Sequence, residues 1–164
     1  MAVKIKWAKT RENAIVPSKR PEDAGYDIYA CLETGLTIPA HGTVLIPTGI
    51  ACAIEPGYYF QVEERGSTGK AGLKKSAGVI DSGYRDEIFI AIYNANNKPV
   101  AIGEDNYLKR FPETPRRLAY NTKKAIAQLV LHEVPEVEAE EISYDELKTM
   151  PSERGTGKLG SSGK

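Results

Sequence analysis

The sequence predicts an all-β fold, a jelly-roll-like barrel or sandwich that ends in an extended C-terminal arm. Segments rich in β-branched and aromatic residues recur along most of the 164 residues. Clusters of glycine, proline and asparagine separate these segments, and no internal repeat or coiled-coil heptad interrupts them. A chain of this length is typical of one domain and buries enough surface for a core.

The predicted strands follow one another along the chain. Alternation of apolar and charged residues predicts the first strand, and a short aromatic segment predicts the second. A long apolar run, broken by Pro47 and Gly49, and three further apolar segments follow. The segments are VKIKWAK (3–9), GYDIYAC (25–31), TVLIPTGIACAI (43–54), YYFQVEE (58–64), EIFIAIYN (87–94) and AIAQLVLHEV (125–134). SYDELKTM (143–150) is expected to form one helical turn.

The charge distribution divides the chain into parts. Residues 1–132 form the predicted β-rich domain, within which residues 101–124 carry six bases against three acids. This basic excursion is long for a hairpin loop, and it is either a functional or mobile connection or a merely solvated one. Residues 133–153 form an arm with eight acids and one lysine. Residues 154–164, RGTGKLGSSGK, join three bases to small residues, which is typical of a flap that orders only over a ligand.

Composition excludes several kinds of partner. The formal net charge is zero, so neither nucleic acid nor a membrane is an expected partner. No signal peptide and no 18-residue apolar run is visible, so a soluble cytoplasmic protein is expected.

Cys31 and Cys52 are expected to be buried free thiols. Two histidines are too few for a Cys/His metal cluster.

Two motifs point to chemistry on phosphate. ERGSTGK (64–70) places Arg65 beside small residues whose backbone amides can approach a polyanion, although an ordinary surface turn has the same composition. GVIDSGYRDEI (78–88) places Asp81 before a turn, where its carboxylate is either a general base or a turn-capping group. A P-loop is excluded, because GSTGKAG (66–72) lacks a serine or threonine after its lysine.

Five segments in a fixed order carry a family resemblance. They are AGYDIYA (24–30), RGSTG (65–69), GVIDSGYRDEI (78–88), AIAQL (125–129) and RGTGKLGSSG (154–163). With them the chain resembles the trimeric dUTPases over nearly its whole length. The resemblance implies a homotrimer with three shared active sites, each closed by a C-terminal tail that acts as a lid. It also implies Mg²⁺-dependent hydrolysis of dUTP to dUMP and pyrophosphate, which limits uracil in DNA and supplies dUMP for thymidylate synthesis.

The resemblance also implies roles for individual residues. Asp81 is expected to activate the water that attacks the α-phosphate, and Tyr84 to lie under the deoxyribose, where a 2′-hydroxyl would clash. Asp27 either contacts the Mg²⁺ shell through water or braces the site, and bracing is favoured. The backbone of Gly78, Val79 and Ile80 is expected to read uracil. The residues expected to bind phosphate or close over the substrate are Arg65, Gly66, Ser67, Gln128, Arg154, Leu159, Gly160, Ser161 and Ser162.

Several positions depart from the family pattern, among them Lys158 and Asp86, which stand where glycine is common. Gly66 stands where a serine usually follows the arginine, so one hydroxyl contact is lost. Leu159 replaces the tail aromatic that stacks on uracil, and Tyr107 and Phe111 are candidates to serve instead. Lys75 stands near the place where the family often has a base-contacting asparagine.

Two other functions remain as alternatives. A dCTP deaminase of the related fold would need a glutamate placed for chemistry at the base, whereas this chain has the IDSGY (80–84) hairpin. A nucleotide-sensing regulatory protein on the same scaffold would use residues 101–124, with Tyr107, Phe111 and Tyr120, to dock a protein partner. The second role is compatible with catalysis.

Overall fold

The structure, a computed structural model, describes residues 2–155 and 157. Contacts divide the chain into two units, Met1–Val134 and Pro135–Lys164. Among the described residues, all strands belong to the first unit, together with two short helices, and the second unit holds one more helix. The prediction of an all-β fold is confirmed.

Each of the six segments predicted as strands contains a strand, and the run at 43–54 contains two. The helical turn predicted at 143–150 is also confirmed, whereas two other helices were not predicted. None of the described helices has the length and apolar character needed to cross a bilayer. The strands are β1 (Ile5–Lys9), β2 (Gly25–Ile28), β3 (Leu36–Ile38), β4 (Thr43–Pro47), β5 (Ile50–Ile54), β6 (Tyr58–Glu63), β7 (Leu73–Lys75), β8 (Val79–Asp81), β9 (Phe89–Asn94), β10 (Val100–Gly103), β11 (Leu118–Asn121) and β12 (Ala127–Glu133). The helices are α1 (Gly66–Lys70), α2 (Asp105–Arg110) and α3 (Tyr144–Thr149).

The described strands form four small sheets, with the orders β1-β5, β11-β10-β3, β2-β12-β6-β8 and β4-β9-β7. Every strand pair is antiparallel except β10 with β11. The four-stranded sheet carries most of the candidate site. Its strand β6 pairs with β12 on one side and with β8 on the other.

Branched aliphatic side chains fill the core between the sheets. Nine of its large, fully buried side chains are isoleucines, a residue type that suits a pleated strand and packs well there. Phe60 on β6 is also fully buried, and its ring lies 5.4 Å from that of Trp7 and 6.0 Å from that of Tyr26. This packing fixes β6, and with it the outward-facing residues of the same strand.

The prediction of residues 101–124 as one long connection is wrong. The segment contains the end of β10, helix α2 and strand β11. The ring of Tyr107 lies so close to Gly35 and Gly103 that a Cβ at either glycine would overlap it, and the Phe111 ring lies tilted against that of Tyr107, with 4.7 Å between the ring centroids. The half-buried Tyr107 therefore packs against glycines of its own chain, although α2 itself has no fully buried residue.

The described part of the second unit has one short helix, α3. Residues 135–143 form no helix or strand, and α3 begins after Ser143, whose hydroxyl accepts a hydrogen bond of 3.1 Å from the Glu146 amide. This is an ordinary N-cap, and acidic residues in the first turn suit the positive end of the helix dipole.

Candidate active site

The outer face of the β2-β12-β6-β8 sheet carries two separate groups of candidate residues. Asp27 on β2, Gln128 on β12 and Glu63 on β6 lie side by side across one end of the sheet. At the other end of β6, Tyr59 lies opposite Asp81 on β8. Because side chains alternate between the faces of a strand, all five project from the same face.

Arg65 forms an ion pair with Asp27, with 2.8 Å between Nε and Oδ1. Arg65 is also the N-cap residue of α1, and the buried Thr68 closes the turn there. The Arg65 amide donates to the Thr68 hydroxyl, which donates in turn to the Arg65 carbonyl, both at 2.9 Å. Gly66 and Ser67 thus lie in the first turn of α1, where amide groups have no partner within the helix.

Gln128 is fixed beside this turn. Its Nε2 donates to the Glu64 carbonyl at 2.9 Å. A Cβ at Gly25 would lie 2.7 Å from Gln128 Oε1, so only glycine leaves room for this carboxamide. The strand pairing of β2 and β12 therefore places the Gln128 side chain next to the peptide group that precedes Arg65.

Tyr120 belongs to the same group of residues, and sequence reasoning missed this role. Its hydroxyl donates to the Ala125 carbonyl at 2.7 Å and lies 3.2 Å from the Ser67 hydroxyl. Burial raises the pKa of Tyr120, and contact with Ser67 and the charge of Arg65 oppose that shift in part. No local pattern reveals this contact, since Ser67 lies 53 residues away in the chain.

Asp81 is exposed and ends strand β8. The turn after it is closed by a hydrogen bond of 3.1 Å from the Tyr84 amide to the Asp81 carbonyl. The Tyr84 hydroxyl donates to the Glu87 carbonyl at 2.8 Å, so the ring lies along the hairpin and is 41% exposed. The sequence prediction of a turn with Asp81 at its mouth is confirmed.

Asp81 borders two cavities. One, of about 440 Å³, lies on the side of β6 and is lined by Gly57, Tyr58, Tyr59, Val79, Asp81, Ser82 and Val134. The other, of about 320 Å³, is mostly apolar and is lined by Leu45, Val79, Ile80, Asp81, Tyr84, Ile88 and Phe89. The carboxylate is thus close to an apolar cleft and to open solvent at once.

The backbone of residues 78–80 lies at the edge of its sheet, since the described part of this sheet ends at β8. Gly78 accepts a hydrogen bond of 2.7 Å from the Val62 amide, and a Cβ at Gly78 would overlap the Gln61 amide group. Ile80 is buried, whereas Val79 is 64% exposed. The other edge of this short strand can offer backbone groups to a ligand.

Lys75 is held away from open solvent by its own neighbours. Its Nζ lies 2.8 Å from Glu63 Oε1 and donates to the Val62 carbonyl at 2.7 Å. Its amide donates to Glu64 Oε1 at 3.0 Å. The side chain of this lysine is therefore bound to β6, and its backbone amide to the residue that follows β6.

The structure brings Arg65, Gly66, Ser67, Gln128 and Asp27 together, and it places Asp81, Tyr84 and residues 78–80 in a second group. Arg154 is described and exposed in the second unit. Leu159, Gly160, Ser161 and Ser162 lie outside the described residues. Across residues 2–155 and 157, no three His, Cys, Asp or Glu side chains are placed to hold a metal ion.

Comparison with known proteins gives one consistent family. Residues 11–108 match the family model described as dUTPase. A deoxyuridine 5'-triphosphate nucleotidohydrolase of Candida albicans is 37% identical over 142 residues, which cover 86% of this chain and 76% of that relative.

Two solved phage structures share the fold. The dUTPase of Staphylococcus bacteriophage 80alpha with dUPNHPP has a TM-score of 0.73 and 24% identity, covering 98% of this chain and 99% of that one. A mutant dUTPase from phage phi11 of S. aureus, described for its coordination of a structural Mg(II) ion, has a TM-score of 0.65 and 23% identity, covering 85% of this chain and 96% of that one.

Proposed function

This chain belongs to the dUTPase family and hydrolyses dUTP to dUMP, and we propose that it does so in active sites that three copies of the chain complete together. The observation that carries the proposal is the exposed carboxylate of Asp81, at the mouth of a hairpin and beside an apolar cleft. The family match removes the dCTP deaminase alternative.

Asp81 is the proposed general base. It takes a proton from a water molecule while the water oxygen bonds to the α-phosphorus, and the bond from that phosphorus to the oxygen leading to the β-phosphate breaks. Pyrophosphate leaves and dUMP remains. A positioned base contributes about 10²–10⁴-fold to a rate, so the remaining acceleration must come from alignment and charge stabilisation.

The group around Arg65 is the proposed phosphate site. The Arg65 Nε faces Asp27, which leaves the rest of the planar guanidinium to donate to phosphate oxygens. The amides of Gly66 and Ser67 add donors that need no side chain, in keeping with the glycine at position 66. Gln128 adds its carboxamide at the same end of the sheet.

The hairpin is the proposed nucleoside site. Uracil would lie against the free edge of β8 at Gly78, Val79 and Ile80, with the deoxyribose over Tyr84. The cleft of about 320 Å³ beside them lies at the lower end of the usual range for ligand pockets, in keeping with a second chain that adds to the site for a whole nucleotide. Tyr107 packs against Gly35 and Gly103, so it is not the proposed substitute for the tail aromatic.

The separation of the two groups supports a site shared between chains. Gln128 and Asp81 lie on opposite sides of β6, at positions four residues apart along it. Within a single chain, the phosphate site around Arg65 and the Asp81 hairpin are too far apart to act on the same phosphate. A symmetric trimer can bring the phosphate site of one chain to the hairpin of the next. The tail residues Arg154, Leu159, Gly160, Ser161 and Ser162 are proposed to close over the substrate from the third chain.

Mg²⁺ is the proposed cofactor. The donor set fits an ion held mainly by substrate phosphates and water, because Mg²⁺ usually needs only one or two carboxylates from the protein. Bound to the phosphates, it would neutralise charge on them. Asp27 is engaged by Arg65, which favours a bracing role for this carboxylate over direct contact with the metal shell.

A cytoplasmic location is also part of the proposal. Both cysteines are buried and neither forms a disulfide, in keeping with a reducing compartment. A regulatory partner at residues 101–124 has less support, because Tyr120 is buried and Tyr107 is packed in place.

Incubation of the purified protein with each deoxynucleoside triphosphate tests the function. Pyrophosphate release is expected from dUTP alone and should be lost in Asp81→Asn, which keeps the shape of the side chain and removes the base. Ammonia release from dCTP, or nucleotide binding without turnover, would contradict the proposal.

A further inference from the structure

Glu87 is a buried carboxylate to which the proposed reaction gives no role. It follows the hairpin turn and precedes β9, and it is only 9% exposed. A buried carboxylate is costly unless it is well paired, and an apolar residue of similar volume often serves stability as well or better. Its charge therefore has to be offset by partners, and these partners show which parts of the chain the side chain holds together.

The carboxylate of Glu87 ties the end of the hairpin to two other parts of the chain. The Gly49 amide donates to Oε1 at 2.9 Å, and the Thr10 hydroxyl donates to Oε2 at 3.2 Å. Arg11 Nε lies 3.2 Å from the carboxylate and forms its ion pair. Gly49 has a φ of 67°, and a Cβ there would lie 2.7 Å from that of Ala14, so this amide is itself closely fixed.

The backbone carbonyl of Glu87 in turn holds Tyr84. The Tyr84 hydroxyl donates to it at 2.8 Å, while the Tyr84 amide donates to the Asp81 carbonyl at 3.1 Å. Both ends of the tyrosine are thus attached, one to the catalytic turn and one to Glu87. The ring between them borders the cleft that also contains Asp81.

We propose that Glu87 is a positioning residue, which fixes its own carbonyl through its carboxylate and so sets the place of the Tyr84 ring against the sugar. The inference rests on the proposed function, in which Tyr84 rejects a 2′-hydroxyl. Glu87 touches no reacting atom, and its effect reaches substrate selectivity only through the tyrosine. When the carboxylate is lost, the ring gains freedom to move away and admits ribose.

The readout is sugar selectivity, the ratio of kcat/KM for dUTP to kcat/KM for UTP. Glu87→Ala is expected to lower this ratio about tenfold, because a loosened pocket wall rejects an added hydroxyl poorly. Glu87→Gln keeps an oxygen that can accept from the Gly49 amide, so it should retain most of the selectivity. Tyr84→Phe removes only the hydroxyl that donates to the Glu87 carbonyl and should lower the ratio by a similar factor, which tests the link even where the alanine variant does not fold.

Asn94→Ala is the matched control for a purely structural effect. Asn94 is a fully buried polar residue at the far end of β9, the strand that Glu87 precedes, and its side chain donates to the carbonyls of Ile38, Pro39 and Lys98. Its replacement should lower the melting temperature while leaving the selectivity ratio unchanged.

The double variant Glu87→Ala/Tyr84→Phe tests whether Glu87 affects sugar selectivity only through Tyr84 or whether the two residues affect it independently. Its ratio should be no lower than that of the more affected single variant, because both changes break the same connection. Unchanged selectivity in the folded Glu87→Ala protein or in Tyr84→Phe, or factors that multiply in the double variant, would overturn the inference. Wild-type protein that does not hydrolyse dUTP would instead count against the proposed function.

Discussion

Asp81 and Gln128 lie on opposite sides of strand β6, at opposite ends of its outer face. Asp81 is opposite Tyr59, and Gln128 is opposite Glu63. Four residues of strand span about 13 Å, and two strand spacings add about 10 Å across the sheet, so the two backbone positions are roughly 16 Å apart. A base and a phosphate ligand this far apart do not meet on one α-phosphate, which is why the proposed site needs residues from neighbouring chains.

Gly25→Ala is expected to weaken dUTP binding. The added methyl group would lie 2.7 Å from Gln128 Oε1 and would turn the carboxamide away from the Glu64 carbonyl. Loss of one hydrogen bond to the substrate is worth about 1 kcal/mol, so KM should rise about fivefold. Gly42→Ala, which crowds Pro39 in a distant turn, is the control and should affect stability alone. Steady-state kinetics on both proteins decide the matter, and an unchanged KM in Gly25→Ala would count against the role of Gln128.

The sequence predicts those parts of the fold in which local pattern is strong. Strand β6 shows apolar alternation at Phe60 and Val62, and the structure buries both residues. Strands β3, β7 and β8 have only three residues each, which is too short for a period to be visible. The charges of residues 101–124 concealed β10, although all four of its residues are buried.

In the candidate site, too, residues within a local motif could be predicted from the sequence, whereas contacts between distant segments could not. Local motifs identify Arg65 and Asp81, because the residues next to them in the sequence already indicate a phosphate-binding turn and a hairpin carboxylate. The contacts of Tyr120 with Ser67 and of Glu87 with Gly49 join residues 53 and 38 positions apart. Such contacts depend on how the sheets pack, which a single sequence does not reveal.

Asp27→Asn distinguishes bracing from metal contact. If Asp27 holds Arg65 in place, the neutral amide of Asn should leave the guanidinium less well fixed. The KM for dUTP should then rise about three- to tenfold, the size of effect expected for a partly exposed ion pair. The concentration of Mg²⁺ that gives half-maximal activity should stay the same. A rise in that concentration, at unchanged KM under saturating Mg²⁺, would assign Asp27 to the metal shell instead.

Tyr120→Phe should change how stability depends on alkaline pH. Burial raises the pKa of Tyr120 in the folded protein, so its contribution to stability is fully present below the ordinary tyrosine pKa of about 10 and is lost as pH rises through the folded value. The wild type should therefore exceed the variant by about 1 kcal/mol per lost hydrogen bond near neutral pH. Urea unfolding at several pH values measures this difference, which should shrink above about pH 10. A constant difference would mean that the tyrosine ionises as freely in the folded protein as in the unfolded one.

Deletion of residues 154–164 tests the proposed lid. Turnover of dUTP should fall severely, because charge-assisted bonds from the tail to the triphosphate, each worth about 1.5–3 kcal/mol, are lost together. The size of the assembly should not change, since the strands belong to the first unit. Kinetics and analytical ultracentrifugation give the two readouts, and full activity of the shortened chain would refute the lid.

Mixing two inactive variants measures most directly whether the site is shared. Asp81→Asn lacks the base and Arg65→Ala lacks the phosphate ligand, so each protein alone should be inactive. In trimers formed at random from equal amounts of both, about a quarter of the sites combine an intact Asp81 with an intact Arg65 of the neighbouring chain, and activity should return to about that fraction of wild type. A mixture of Asp81→Asn with Asp81→Ala should stay inactive. Mixed trimers without any return of activity, or full activity in a monomeric wild-type chain, would contradict the shared site.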